Sequence, residues 1–240
     1  ETLTATGNVA LSDDKDFEAY DKFKTRRVTY SRTMSEGTTW ASLCLPFYVS
    51  LQGQNFRAFK IVSLGSDKVE LEELQGGITE KTPVIIKMNK GQTRLNFSLK
   101  NKWIAAGAPT SVVATSGTHR LVGLFAKKMF DSHTGASCYI VKDNKLMNPA
   151  LILAGSSTKN VGLKAFRAYL ESSTASTAGT KSLSFGDEGD GEATGIDQLL
   201  DNLNDSTATY YDLQGHRLNG PQKGLNIVKR GGKTMKVVIR

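Results

Sequence analysis

Leu43-Cys44-Leu45-Pro46-Phe47-Tyr48-Val49-Ser50-Leu51 carries an apolar side chain at every second residue, and Ala41 precedes it in phase. Successive side chains of an extended chain point to opposite faces. This period of two therefore predicts a β-strand with Leu43, Leu45, Phe47, Val49 and Leu51 turned towards a core. The other face, Ser42, Cys44, Pro46, Tyr48 and Ser50, is expected to be wetter or only partly covered. Pro46 has no backbone N–H to give to a ladder, which argues for a sheet edge or a bulge.

Working outward, Arg27-Val28-Thr29-Tyr30-Ser31-Arg32 alternates in the same way, and Ser35-Glu36-Gly37-Thr38 supplies turn chemistry, so the two runs read as a hairpin. Phe56–Val62 and Lys68–Glu72 flank Gly65-Ser66-Asp67, again strand, turn, strand. Thr82–Lys87, Leu95–Leu99, Leu121–Phe125, Cys138–Val141 and Lys145–Met147 around Asp143-Asn144, Phe166–Leu170 and Ser182–Phe185 continue the series. With turn signals at short intervals and no long helical period, residues 1–185 are expected to form a β-sandwich, jelly-roll or immunoglobulin-like.

Residues 186–208 differ in kind. They hold Asp187, Glu188, Asp190, Glu192, Asp197, Asp201 and Asp205 without a Lys or Arg, and read as an acidic, glycine-containing linker, with Ile196–Leu200 a candidate short helix. Residues 209–240 read as a small β-meander tail with strands around Tyr210-Tyr211, Leu225–Val228 and Met235–Ile239. So short a tail buries little core alone and is expected to need another surface.

The net charge of +8 over 240 residues suggests nucleic acid. However, much of the basic excess sits in residues 211–240, beside the complementary acidic run, and no helix-turn-helix, zinc finger or aromatic RNA platform accompanies it. No nucleic-acid partner is expected. Nor is membrane spanning, since no apolar run reaches about 18 residues. Glu1-Thr2-Leu3-Thr4 lacks the parts of a signal peptide, which implies a removed leader or a fragment of a longer chain.

Reactive chemistry is sparse. His119, His133 and His216 lie in or beside turns with no helper at motif spacing, and no nucleophile elbow, zinc-protease helix or phosphate loop is present. No catalytic residue, metal site or cofactor is expected, and the binding residues stay unassigned. Asp187-Glu188-Gly189-Asp190-Gly191-Glu192 offers oxygen ligands for Ca²⁺ but lacks EF-hand spacing, so a solvated linker is the preferred reading. Cys44 and Cys138 are too few for a disulfide scaffold, and whether they form one bridge stays open. Trp40, Trp103, Tyr48 and Tyr139 are candidates for a sugar-stacking platform, although Trp40 fits a core better and Trp103 a solvent-facing position. Arg167, in an apolar run, is expected to be a structural guanidinium with a buried partner.

Trp40-Ala41-Ser42-Leu43-Cys44-Leu45-Pro46-Phe47, then Ala106-Gly107-Ala108-Pro109, then Ala165–Leu170 and Thr194-Gly195-Ile196 resemble, in order, the β-rich C-terminal region of secreted or surface proteins of Bacteroidales bacteria. Tyr211–Leu218 with Pro221–Val228 is similar to the small β tail of such proteins, of the type IX sorting kind. Thr110 and Asn226 stand where aromatics are usual. The resemblance implies an extracellular or cell-surface protein and carries over no catalytic residue; with the strand pattern and the absence of catalytic motifs, the expectation is a non-enzymatic module acting in adhesion, scaffolding or domain presentation. The resemblance also implies a tail for sorting, anchoring or capping, and upstream repeats of the same chain as a partner. The alternative is a glycan-binding module of a polysaccharide-processing system, so an unknown surface protein or a glycan is the expected partner.

Overall fold

The computed structural model describes residues 3–133, 135, 137–154, 156–172, 182–185, 209–212, 216–220, 222, 224–230 and 233–239. The chain divides into two compact units, Glu1–Asp190 and Gly191–Arg240.

The alternating runs of the first unit become stacked sheets. One sheet has the order β1 (Thr4–Leu11), β2 (Phe23–Thr33), β9 (Arg94–Ile104), with β1 parallel and β9 antiparallel to β2. Val28, Tyr30, Leu95 and Phe97 point inward and are buried, whereas Ser31, Asn96 and Ser98 point out. A second sheet runs β3 (Trp40–Leu43), β8 (Val84–Met88), β5 (Phe56–Leu64), β6 (Val69–Glu73). The third runs β10 (Ser111–Val113), β11 (His119–Gly123), β16 (Ala168–Ser172), β13 (Cys138–Lys142), β14 (Lys145–Met147), β17 (Ser182–Ser184).

The second sheet serves two cores. Ala41, Leu43, Ala58, Val84 and Ile86 pack with Val28, Tyr30, Leu95 and Phe97 of the first sheet. Trp40, Phe59, Ile61 and Ile85 pack with Leu121, Tyr139, Leu146 and Leu170 of the third. The unbroken apolar run Val84-Ile85-Ile86 is the sequence form of a strand covered on both faces. Beyond the third sheet, Cys138, Ile140 and Tyr169 are covered by Phe130, Ile152 and Val161. These come from the strand pair β12 (Lys128–Phe130) and β15 (Val161–Leu163) and from helix α1 (Pro149–Leu153). Asn148 caps that helix, its Oδ1 accepting the Ala150 N–H at 2.8 Å, with Pro149 at the first position. The pair β4 (Val49–Ser50) and β7 (Gly77–Ile78) seals the first core. The fold is all-β and of sandwich type.

Three local expectations are corrected. Leu43–Leu51 is not one strand: β3 ends at Leu43 and β4 begins at Val49. The supposed wetter face is absent over Ser42, Cys44 and Pro46, which are as buried as Leu43, Leu45 and Phe47, because this segment passes between packed layers. Second, β2 and β3 form no hairpin. Val28 and Tyr30 belong to the opposite wall of the first core, so the chain crosses between sheets and β3 pairs with β8 instead. Third, the run from Phe166 is interrupted. Phe166 adopts φ 60°, which turns its ring into the first core while Ala168 and Leu170 enter the second, and β16 starts only at Ala168.

In the second unit, β18 (Thr209–Tyr211), β19 (Arg217–Leu218), β20 (Gly224–Arg230) and β21 (Lys233–Ile239) form an antiparallel sheet in the order β19-β18-β20-β21. The linker reading of 186–208, its candidate helix and the acidic run Asp187–Glu192 lie outside the described residues. No helix among the described residues is long and apolar enough to cross a membrane.

Candidate binding face

Three of the segments that carry the sequence resemblance, Trp40–Phe47, Ala106–Pro109 and Ala165–Leu170, meet in the first unit, and their contacts are structural, whereas Thr194–Ile196 lies outside the described residues. Ser42 Oγ donates to the Ala168 carbonyl and accepts the Ala168 N–H, both at 2.9 Å. Gly123 lies so close to Cys44 and Pro109 that a Cβ there would come within 2.6 Å of Cys44 Sγ and 2.7 Å of Pro109 Cβ. Lys81 Nζ donates to the Ala106 carbonyl at 2.8 Å, and Cys44 Sγ to the Lys81 carbonyl at 3.2 Å. Burial pushes the Cys44 thiol up to about 12, against a weaker pull from Lys81. Burial raises the Cys138 thiol as well, with the Glu171 charge adding to it. Both cysteines are free and sit in different cores.

Arg167 is paired, as an arginine in an apolar segment requires. Its Nη1 donates to Asp13 Oδ1 at 2.9 Å and to Tyr30 Oη at 3.0 Å, its Nη2 bonds Asp13 Oδ2, and the Tyr30 hydroxyl donates to Asp13 Oδ1 at 2.7 Å. Burial alone raises the Asp13 carboxyl. The hydrogen bond and charge of Arg167, with Tyr30 and Arg32, outweigh it and hold Asp13 below its ordinary value. Burial pushes the Tyr30 phenol up to about 12. It also brings Arg32 down to about 10, helped by the like charge of Arg167. Arg32 Nη1 donates to the Ser42 carbonyl at 2.8 Å, joining this network to the Ser42–Ala168 link.

The four aromatics do not share one platform. Trp40 is buried, stacked on Phe185 at 4.7 Å between ring centroids, and Tyr139 is buried in the same core. Tyr48 lies against Gly77, and Lys102 Nζ stands 5.6 Å from its ring centre. Trp103 is 43% exposed. His119 packs edge-on to Tyr139, His133 sits in an exposed turn and His216 belongs to the second unit, paired with Asp212 at 3.0 Å. Among the described residues no three His, Cys, Asp or Glu side chains gather as a metal site.

The feature that stands out from this structural background is the outer face of the sheet β1-β2-β9. Its three strands contain Lys24, Arg26, Arg27, Arg32, Arg94, Lys100 and Lys102 and no Asp or Glu. Arg32 belongs to the internal network. Cross-strand partners share a face, and on the outer side Lys24 lies opposite Trp103 and Arg27 opposite Lys100. Asn101 at φ 54° marks where the alternation changes phase, so that Trp103 and Lys100 both reach the outside. Arg27 Nη1 donates to Ser98 Oγ at 2.7 Å, and Lys22 Nζ stands 5.4 Å from the Trp103 ring centre. In the other sheets of the first unit, facing cations have a carboxylate at hand: Lys60 opposes Glu72 with an ion pair of 2.9 Å, Arg120 opposes Glu171 at 2.7 Å, and where like charges do oppose, Arg57 across from Lys87 bonds Glu73 and Lys142 across from Lys145 reaches Asp143 at 3.5 Å. Sequence reasoning passed over this face because the signal, two acid-free basic strands, becomes a patch only once the register of β2 on β9 is known.

Comparison with known proteins finds no family model, no curated protein and no solved structure that matches the chain.

Proposed function

We propose that the protein is a non-enzymatic module of the bacterial cell surface or exterior, acting in adhesion, scaffolding or presentation of other domains, with residues 209–240 serving sorting, anchoring or capping. The observation that carries the reading is the open outer face of β1-β2-β9. One side of this sheet is fixed by a core, and the other presents basic and hydroxyl side chains with no acidic partner in its own strands. Exposed charge of one sign on a rigid sheet is a recognition surface, since it steers and orients an oppositely charged partner. The resemblance of Trp40–Phe47, Ala106–Pro109 and Ala165–Leu170 to surface proteins of Bacteroidales supports the same reading. Biotinylation of intact cells with a membrane-impermeant amine reagent tests it. The expected result is labelling before lysis, and label acquired only after lysis would overturn it.

A further inference from the structure

Resting on that reading, we infer that the outer face of β1-β2-β9 binds an acidic polysaccharide, one bearing a uronate carboxylate on alternate sugars, laid along β9 from Trp103 towards Arg94. Opposing Arg27 and Lys100 directly costs stability in a ladder, because like charges on facing positions repel. Neither is compensated by a carboxylate within the sheet, whereas Lys60 and Arg120 are compensated by theirs. A pair that the fold does not need is explained by an anion arriving from outside. A guanidinium beside an ammonium suits a carboxylate, which takes the planar donor fork on one side and the point charge on the other.

The spacing selects the polymer. Along β9, Trp103 and Lys100 are three residues apart, about 10 Å, and Lys100 and Arg94 six, about 20 Å, at roughly 3.3 Å per residue. With Lys24 standing opposite Trp103, the cationic stations Lys24, Lys100 with Arg27, and Arg94 are thus spaced on the scale of one and two disaccharides. Ser98, Asn96 and Ser31 fill the interval with hydroxyl and amide groups of the kind that bind sugar hydroxyls. Trp103, exposed and opposite Lys24, offers an apolar plate on which one pyranose face stacks. Nucleic acid fits less well. Its phosphates recur about every 3.4 Å per strand, and single strands are held by successive stacked aromatics. Trp103 is the sole aromatic of this outer face among the described residues.

The test is affinity electrophoresis of the full chain in gels containing hyaluronan, neutral dextran or poly(dT). Its variants are R27Q/K100Q, W103A and, as a control removing the same charge from the exposed residues Lys145 and Lys159, K145Q/K159Q. The expected result is retardation by hyaluronan that weakens with salt, falls about tenfold or more in R27Q/K100Q and in W103A, and persists in K145Q/K159Q. No retardation by hyaluronan, equal loss in both double variants, or tighter binding to poly(dT) would overturn the inference. Cell-surface labelling is read separately, so failure here leaves the surface-module reading standing. Circular dichroism of each variant confirms that the loss is not unfolding.

Discussion

Ser42 Oγ and the peptide group of Ala168 form a two-way link, 2.9 Å in each direction, between β3 of the second sheet and β16 of the third. The hydroxyl satisfies a buried N–H and a buried C=O with a single side chain. Replacing it by Ala leaves both without that partner, at a cost of about 2 kcal/mol. In urea denaturation, the midpoint of S42A should fall while the slope stays unchanged.

Removing Arg167 strands the Asp13 carboxylate, since the two side chains are only 12% and 15% exposed. R167L should lose about 3 kcal/mol, and restoring neutrality with D13N in the same chain should recover part of it. A double-mutant cycle of thermal unfolding measures the coupling, and additivity would contradict the pairing.

The same carboxylate sets an acid limit. The Asp13 pKa is lower folded than unfolded, so its contribution is present above the unfolded value, about 3.9. It is lost as pH falls from there through the folded value. Wild type should therefore lose more stability than D13N between about pH 5 and pH 2. At the alkaline end, the Tyr30 phenol at about 12 binds its proton more tightly in the folded chain. Stability present below about pH 10 is lost as pH rises through 12, and Y30F should lack that step in the 295 nm phenolate titration.

Cys44 and Cys138 are predicted not to react with Ellman's reagent in the native protein. Both are buried with raised thiol pKa values, and it is the thiolate that attacks. Both should titrate in guanidinium, and reductant should not change mobility on denaturing gels. Rapid native reaction at Cys44 would contradict its placement.

Asn144 couples a hairpin turn to a neighbouring sheet. Asp143 and Asn144 have φ 50° and 57°. Asn144 Oδ1 accepts the Thr39 and Trp40 N–H groups at 2.8 and 3.0 Å, and Nδ2 donates to the Gly37 carbonyl at 2.7 Å. N144G keeps the turn and loses the contacts, whereas N144A loses both. N144A should therefore be the less stable by about 1 kcal/mol in thermal unfolding.

Side-chain alternation made the fold class legible, and the turn residues Gly65-Ser66-Asp67 and Asp143-Asn144 located two hairpins correctly. What alternation conceals is a residue buried on a nominally polar face. Ser42 and Cys44 read as wet because polarity stands in for exposure, yet hydrogen bonds to Ala168 and Lys81 let them be covered. The parallel strand β1 left little trace, since Gly7 and Asn8 interrupt its apolar pattern. Helix α1 is announced by Asn148-Pro149, a start signal obscured by the strand-like runs on either side of so short a helix. Arg167 was legible as a paired cation, although its partner, Asp13, lies 154 positions away in sequence.

Because Trp40–Met88 supplies a wall common to two interiors, the first unit cannot be cut into smaller working pieces. Stopping before Ser111 would leave Trp40, Phe59 and Ile85 facing water, and starting after Thr33 would strip Leu43, Ala58 and Ile86 bare. Anyone borrowing this body as a carrier for a grafted epitope must take it whole and place the insertion at a rim turn.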